Sequence, residues 1–268
     1  MFRGRLWIGR ATKNLVAWLG LFLMVASFVW WQLISKPAAT PAGAGPPAPA
    51  PFALVVLDPG HGGQDSGAMC AGVLEKDLTL DIAQRVDRLL QAQGLATLMT
   101  RVGDSYVSLP DRAALANRSR ACVFVSIHFN EGNKKVTSGV ETYYADHQIA
   151  AVTPVIAWFP FLRRTTAEAS NLESQSLAGF VQEAMVARTQ AANRGTKAAQ
   201  FFVITNVRAP AVLVEGGFLS NKEDIAKLTN DGYREQMAAA ITEGILRYRD
   251  LLKQRQQTLA VTAPDGTE

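Results

Sequence analysis

The chain has 268 residues, a formal net charge of +4 and a hydrophobic fraction of 48%, long enough for one domain with a sizeable core. Its basic excess does not describe a nucleic-acid binder. Arg3, Arg5, Arg10, Lys13 and Lys36 are the only charged residues of positions 1–50, so the remainder carries 22 basic against 23 acidic groups, whereas a nucleic-acid-binding domain is basic on its own account.

Leu15 to Ile34 contain no charge and follow a basic cluster. About 20 apolar residues cross a bilayer as a helix, with the positive flank on the cytoplasmic side and aromatic residues such as Trp30 and Trp31 at the far interface. Positions 1–36 therefore read as a signal anchor in the cytoplasmic membrane. A cleaved signal peptide, whose apolar core is roughly 7–15 residues, is the rival, and either one exports the rest of the chain. Positions 37–51 are Pro, Ala and Gly with little else and form a semi-rigid spacer. The catalytic domain is expected over 52–253, and 254–268, which lose apolar periodicity, read as a disordered tail. Cys70 and Cys122 are the only cysteines; an exported compartment permits a disulfide, and the sequence leaves open whether the two meet.

Leu54 to Leu57 form a strand that runs into Asp58-Pro59-Gly60-His61-Gly62-Gly63. A glycine-rich loop then reaches Glu75-Lys76-Asp77, where Asp77 is a candidate N-cap. Leu78, Ile82, Val86, Leu89 and Leu90 recur at helical spacing, up to a stop at Gly94. Ala96 to Thr100 read as a strand. Ser108-Leu109-Pro110 open a helix through Asn117. Val123 to Ile127 form a strand ending on His128, and Gly139 to Tyr144 alternate as another. Leu177 to Thr189 are helical, Phe201 to Ile204 and Ala211 to Val214 read as strands, and a last helix covers Tyr233 to Leu252. Strands alternating with helices imply an α/β domain, a mostly parallel sheet of about six strands flanked by helices.

Open α/β sheets carry their sites at the strand C-termini. That edge gathers His61, His128 and Glu215, and Glu75 joins it at the start of a helix that follows a strand. Two imidazoles and a carboxylate are a catalytic zinc set with a position left for water or substrate, and a second carboxylate, Glu215, suits the general base. Each residue also has a plain structural reading: a hydrogen-bonded strand histidine, a carboxylate at a helix N-terminus, a turn residue. No Cys-x-x-Cys or His-Glu-x-x-His is present, which argues against a thiolate site and the compact zincin motif.

Four blocks, Leu57-Asp58-Pro59-Gly60-His61-Gly62-Gly63, Glu75-Lys76-Asp77, Ser126-Ile127-His128-Phe129-Asn130 and Val214-Glu215-Gly216-Gly217-Phe218-Leu219-Ser220-Asn221, resemble the zinc-dependent N-acetylmuramoyl-L-alanine amidases of the amidase-3 type. The resemblance runs from residue 54 to about 250. It implies one zinc ion held by His61, Glu75 and His128, Glu215 as the catalytic glutamate, and cleavage in peptidoglycan of the amide between N-acetylmuramic acid and L-alanine, for wall remodelling or daughter-cell separation. Leu109-Pro110-Asp111-Arg112 with Ala116-Asn117 also resembles the family, with Arg112 orienting the site or meeting an acidic group of substrate, or else forming a surface ion pair. Asn130 is a candidate substrate contact, and Asp58 a candidate buttress for His61. Glu141 and His147 are the nearest competing metal ligands, with Glu141 expected to face solvent or a partner.

The departure from the family pattern is Asp146 to Asn171, longer than most loops need and interrupted by Pro154 and Pro160, which argue against one continuous helix. It reads as a lid, as a patch for the membrane or an activator protein, or as a locally packed loop. Two further readings differ in function: an inactive wall-binding or division-scaffold protein on this fold, and a zinc peptidase cutting another bond of the stem peptide.

Overall fold

Strand β8 (Ala211–Phe218) is buried at all eight positions, the pattern of a strand covered on both faces. The computed structural model describes residues 18, 20–28, 30, 51–132, 136–148 and 160–262, the side chains of 160–171 and 260–262 excepted. Around β8 lie β1 (Leu54–Pro59), β4 (Ala96–Met99), β5 (Cys122–Asn130), β6 (Val140–Tyr144) and β7 (Asn193–Ala198). The sheet order is β4-β1-β5-β8-β6-β7, with β2 (Met69–Cys70) and β3 (Val73–Leu74) forming a separate hairpin.

Strands β4, β1, β5 and β8 run parallel. Strand β6 is antiparallel to β8, and β7 is parallel to β6. This reversal positions the site, because the start of β6 then lies beside the end of β8. Glu141 pairs with Glu215 on one side, and His128 pairs with Glu215 on the other. Paired residues share a face of the sheet, so the three side chains form a row.

Helices α2 (Glu75–Ala92), α4 (Pro160–Thr189) and α7 (Asp231–Thr262) cover one face. Their stripes Leu78-Ile82-Val86-Leu90, Leu177-Val181-Met185 and Met237-Ile241-Ile245-Leu252 pack on Val55, Leu57, Val123, Val125, Val212 and Val214. The other face is thinner: α3 (Leu109–Arg118) and α5 (Phe202–Thr205) bring Ala113, Ala116, Val203 and Ile204 to Val56, Phe124 and Leu213. Fully burying one such Val, Leu, Ile or Phe stabilises by roughly 1.5–3 kcal/mol. Helix α6 (Lys222–Leu228) follows β8, and its N-cap Asn221 accepts from the backbone N–H groups of Glu223 and Asp224.

Several boundaries differ from the sequence expectation. Phe201 to Ile204, expected as a strand, lie mainly in the short helix α5, and β7 has no counterpart among the expected elements. Helix α2 opens at Glu75, two residues before the expected cap Asp77, with Leu74 in the cap position. Helix α7 continues past the expected domain end at 253 to Thr262, so the first part of the expected tail is helical. The second half of the Asp146–Asn171 insert is also helical, because Pro160 is the first residue of α4 rather than a break. Proline suits that position, where its missing N–H has no partner to lose. The rest of the insert, 149–159, lies outside the described residues, as does the spacer 37–50. Cys70 and Cys122 are both free thiols.

Residues 1–47 form a unit of their own. Within it, 20–28 form a helix, α1. Of the expected anchor Leu15–Ile34, only 18, 20–28 and 30 are described, and among the described residues no helix is long and apolar enough to cross a membrane.

Helices α4 and α7 approach closely at Gly244, where an added Cβ would lie 2.5 Å from Val181 Cα and 2.8 Å from Val181 N. Alanine gains about 1 kcal/mol of helix propensity over glycine, but overpacking against backbone costs about 1–3 kcal/mol. Gly244→Ala is therefore expected to lower the urea unfolding midpoint. A raised midpoint would mean that the two helices yield to a methyl group.

Candidate metal centre and active site

Glu75 occupies the first position of α2, and its carboxylate is buried. Its Oε1 lies 3.1 Å from His61 Nε2 and 3.0 Å from His128 Nδ1, and it accepts the Phe129 N–H at 2.9 Å. The other oxygen accepts the Ala68 N–H at 2.9 Å. Burial opposes ionisation of Glu75, but its hydrogen bonds to His128 and His61 outweigh it and hold the carboxyl well below the usual range. The His61 and His128 rings meet edge to face with centroids 4.9 Å apart.

One donor atom from each of His61, Glu75 and His128 lies within 4.8 Å of the other two, a group able to hold a metal ion. Two observations show that the pocket is shaped for these donors. A Cβ on Gly60 would fall 2.2 Å from the His128 ring, and one on Gly67 would fall 2.5 Å from Glu75 Oε2 and 2.6 Å from the His61 ring. Asp65 Oδ2 lies 2.9 Å from His61 Nδ1, the place of a carboxylate that orients a ligating imidazole, although the alignment falls short of a hydrogen bond. For His61 itself, burial disfavours the charged ring, but Glu75 and Asp65 outweigh it and raise its pKa.

His61 is one of few non-glycine residues with a left-handed backbone, at φ 60°, a conformation that costs of order 1–3 kcal/mol and persists where surroundings impose it. Two buried arginines impose it. Arg112 donates from Nη2 to His61 O, from Nη1 to Pro59 O and Asp58 Oδ1, and from Nε to Val107 O. Arg101 donates to the carbonyls of Pro59 and Gly60. Asp58 is fully buried and also accepts from the hydroxyls of Thr100 and Ser126. Arg112 is thus no surface ion pair, and it turns all three nitrogens to protein groups: it holds the histidine loop. Asp58 supports His61 through Arg112 and the backbone rather than by touching the ring.

Glu215 is buried at the end of β8, and its Oε2 has no hydrogen-bond partner. Burial first, then the charges of Glu75 and Glu141, push its pKa well above the usual range. A buried polar atom left without a partner costs about 1–3 kcal/mol, a cost that marks sites of function.

Glu141 does not face solvent. It is buried and accepts from Asn130 Nδ2 at 2.8 Å, Tyr143 OH at 2.7 Å, Arg194 Nε at 2.7 Å and Lys197 Nζ at 2.5 Å. Burial opposes its charge, but Lys197, Tyr143 and Arg194 hold its pKa at about 2. Asn130 accordingly gives its amide to Glu141. His147 is exposed beside Asp146, away from the ligand group. The sequence reading misses Arg101, Asp65, Arg194 and Lys197. Arg101 carries a signal, since it directly follows a strand expected on the same edge. The other three carry none without β7 and the loop geometry.

The family model of N-acetylmuramoyl-L-alanine amidases, Amidase_3, matches residues 55–247. The N-acetylmuramoyl-L-alanine amidase LytC of Bacillus subtilis (strain 168) is 37% identical over 194 residues, 72% of this chain and 35% of that longer protein. The crystal structure of N-acetylmuramoyl-L-alanine amidase from Clostridium difficile 630 superposes with a TM-score of 0.63 at 35% identity, covering 75% of this chain and 98% of that one. The amidase AmiC2 of Nostoc punctiforme gives a TM-score of 0.62 at 36% identity, covering 74% and 97%.

Arg112→Met leaves Asp58 buried and short of its cation. Breaking such a pair costs about 3–5 kcal/mol, and urea unfolding should register a loss of that size. A loss under about 1 kcal/mol, the scale of an exposed pair, would show that the clamp is dispensable.

Proposed function

This chain belongs to the N-acetylmuramoyl-L-alanine amidase family, Amidase_3, and from that premise we propose that it is a zinc enzyme that hydrolyses the amide between N-acetylmuramic acid and L-alanine in peptidoglycan. The observation that carries the reading is the convergence of His61 and His128 on Glu75 Oε1, with the unpartnered Oε2 of Glu215 one strand away. His61, Glu75 and His128 are the residues that would hold the ion, and zinc so held supplies a Lewis acid and brings the pKa of water near 7.

The chain's own groups do the rest. Glu215 takes the proton of the attacking water on Oε2 and returns it to the departing amine of L-alanine. Gly216, next along the strand, admits the Phe129 ring and Met237 Sδ, which lie 2.7 and 2.8 Å from where its Cβ would stand, so a larger residue there would disturb the strand that carries Glu215. Arg112 and Arg101 keep the His61 loop fixed while this happens, and Asn130 steadies Glu141 beside Glu215.

The site of action is the wall, outside the cytoplasmic membrane. The uncharged run Leu15–Ile34 behind Arg3, Arg5, Arg10 and Lys13 supports a tether, with the Pro-Ala-Gly spacer giving reach. A chain starting at Phe52 should digest isolated walls like the full chain but wash from membranes in carbonate. Equal release of the full chain would end the tether.

Glu215→Gln is expected to bind zinc stoichiometrically while wall hydrolysis falls about 10²–10⁴-fold, the usual share of a general acid–base group. The measurement is mass spectrometry of wall digests, where wild-type protein releases free peptides starting at L-alanine. Undiminished turnover by the variant would remove Glu215 from the chemistry. Fragments cut elsewhere in the peptide would assign a different bond.

A further inference from the structure

The reversed strands β6 and β7 place a pair of cations beside the catalytic row. Glu141 stands next to Glu215 across the β6–β8 pairing. Lys197 stands next to Tyr143 across the β6–β7 pairing, so Lys197, Tyr143 and Glu141 share the face that carries Glu215 and His128. Arg194 comes from the same edge strand, and its guanidinium lies 4.9 Å over the Phe218 ring. The Lys197 ammonium lies 5.7 Å from the Tyr143 ring.

Both cations meet the same oxygen, Glu141 Oε2. One buried carboxylate needs one positive charge for neutrality, and this one has two, besides hydrogen bonds from Asn130 and Tyr143 on its other oxygen. Arg194, Lys197 and Glu141 by themselves sum to one positive charge, and Glu215 is the neighbouring acid on β8. Neither cation is sealed in: the Arg194 side chain is 33% exposed and that of Lys197 37%. Arg194 commits only Nε to Glu141, and its two terminal nitrogens make no hydrogen bond among the described residues. That leaves the paired donors suited to a carboxylate. Phe201, 40% exposed, packs edge-on against Tyr143 at 5.0 Å and extends this wall with apolar surface.

We propose that Arg194 and Lys197, held in place by Glu141, form the subsite that receives a carboxylate of the substrate's peptide arm. The inference rests on the amidase reading above. Glu141 is then a positioning residue: it fixes both cations within one strand of Glu215 and so sets where the peptide arm lies relative to the scissile amide.

The test uses the full chain loaded with zinc and two soluble muramyl peptides, one with its peptide carboxylates free and one with them converted to amides. Wild-type protein should cleave both and prefer the acid. Lys197→Met and Arg194→Gln should raise KM for the acid about tenfold, the effect of losing about 1.4 kcal/mol of binding. They should leave kcat within about twofold, the amide substrate unaffected and zinc content unchanged. Lys197→Arg keeps the charge and should keep the preference, which guards against misreading a merely unstable variant. Equal losses on acid and amide, or a loss confined to kcat, would overturn the subsite and assign the two cations to the support of Glu141 alone. Wild-type protein that releases peptide from neither substrate would overturn the amidase reading itself, a result distinct from loss of the acid preference.

Discussion

One oxygen atom organises this molecule. Oε1 of Glu75 is shared by two imidazoles and a backbone N–H, and the elements that supply those partners are the start of α2, the end of β5 and the loop after β1. A buried carboxylate without compensation costs several kcal/mol, so these three segments cannot separate without exposing that cost. The requirement also explains the glycines at 60 and 67, because any side chain there would occupy the volume of the rings and the carboxylate. Placing the acid at the first turn of α2 adds the favourable field of the helix N-terminus.

The histidine loop shows how a strained element is made dependable. The left-handed backbone at His61 costs of order 1–3 kcal/mol. Against it stand the bonds from Arg112 and Arg101 to the carbonyls of Pro59, Gly60 and His61, and hydrogen bonds involving a charged group contribute about 1.5–3 kcal/mol each. The clamp wins by a wide margin. It also acts through backbone alone, so the imidazole ring stays available to a ligand. Arg112 is paired with Asp58 in the same network, which ties the geometry of the site to the integrity of the core.

Much of this is legible in residue order. The strands ending at Pro59, Asn130 and Phe218 are readable because each is a short apolar run followed by a polar residue, and the rule that α/β sites gather at strand ends then brings His61, His128 and Glu215 together. The misreadings have physical causes. Phe201 to Ile204 is an apolar run too short for its period to separate strand from helix. Strand β7, Asn-Arg-Gly-Thr-Lys-Ala, is a polar edge strand with no buried face to announce it. Pro160 reads as a breaker, but the same residue opens a helix when it comes first. Glu141 is misplaced because alternation shows that a residue has a face, and not which strands flank it. Only the reversal of β6 against β8 puts that face at the site.

The position of β8 has a consequence for how the protein comes into being. The strand that fills the middle of the sheet, between β5 and β6, is drawn from residues 211–218, late in the chain. Until it emerges from the ribosome, β5 and β6 have no neighbour to pair with across that gap. At about 5–20 residues per second, the nascent chain spends on the order of 10–40 s without a closable core. During that time the unpaired edges of β5 and β6 stay exposed, the kind of surface that makes a partly made chain prone to aggregate.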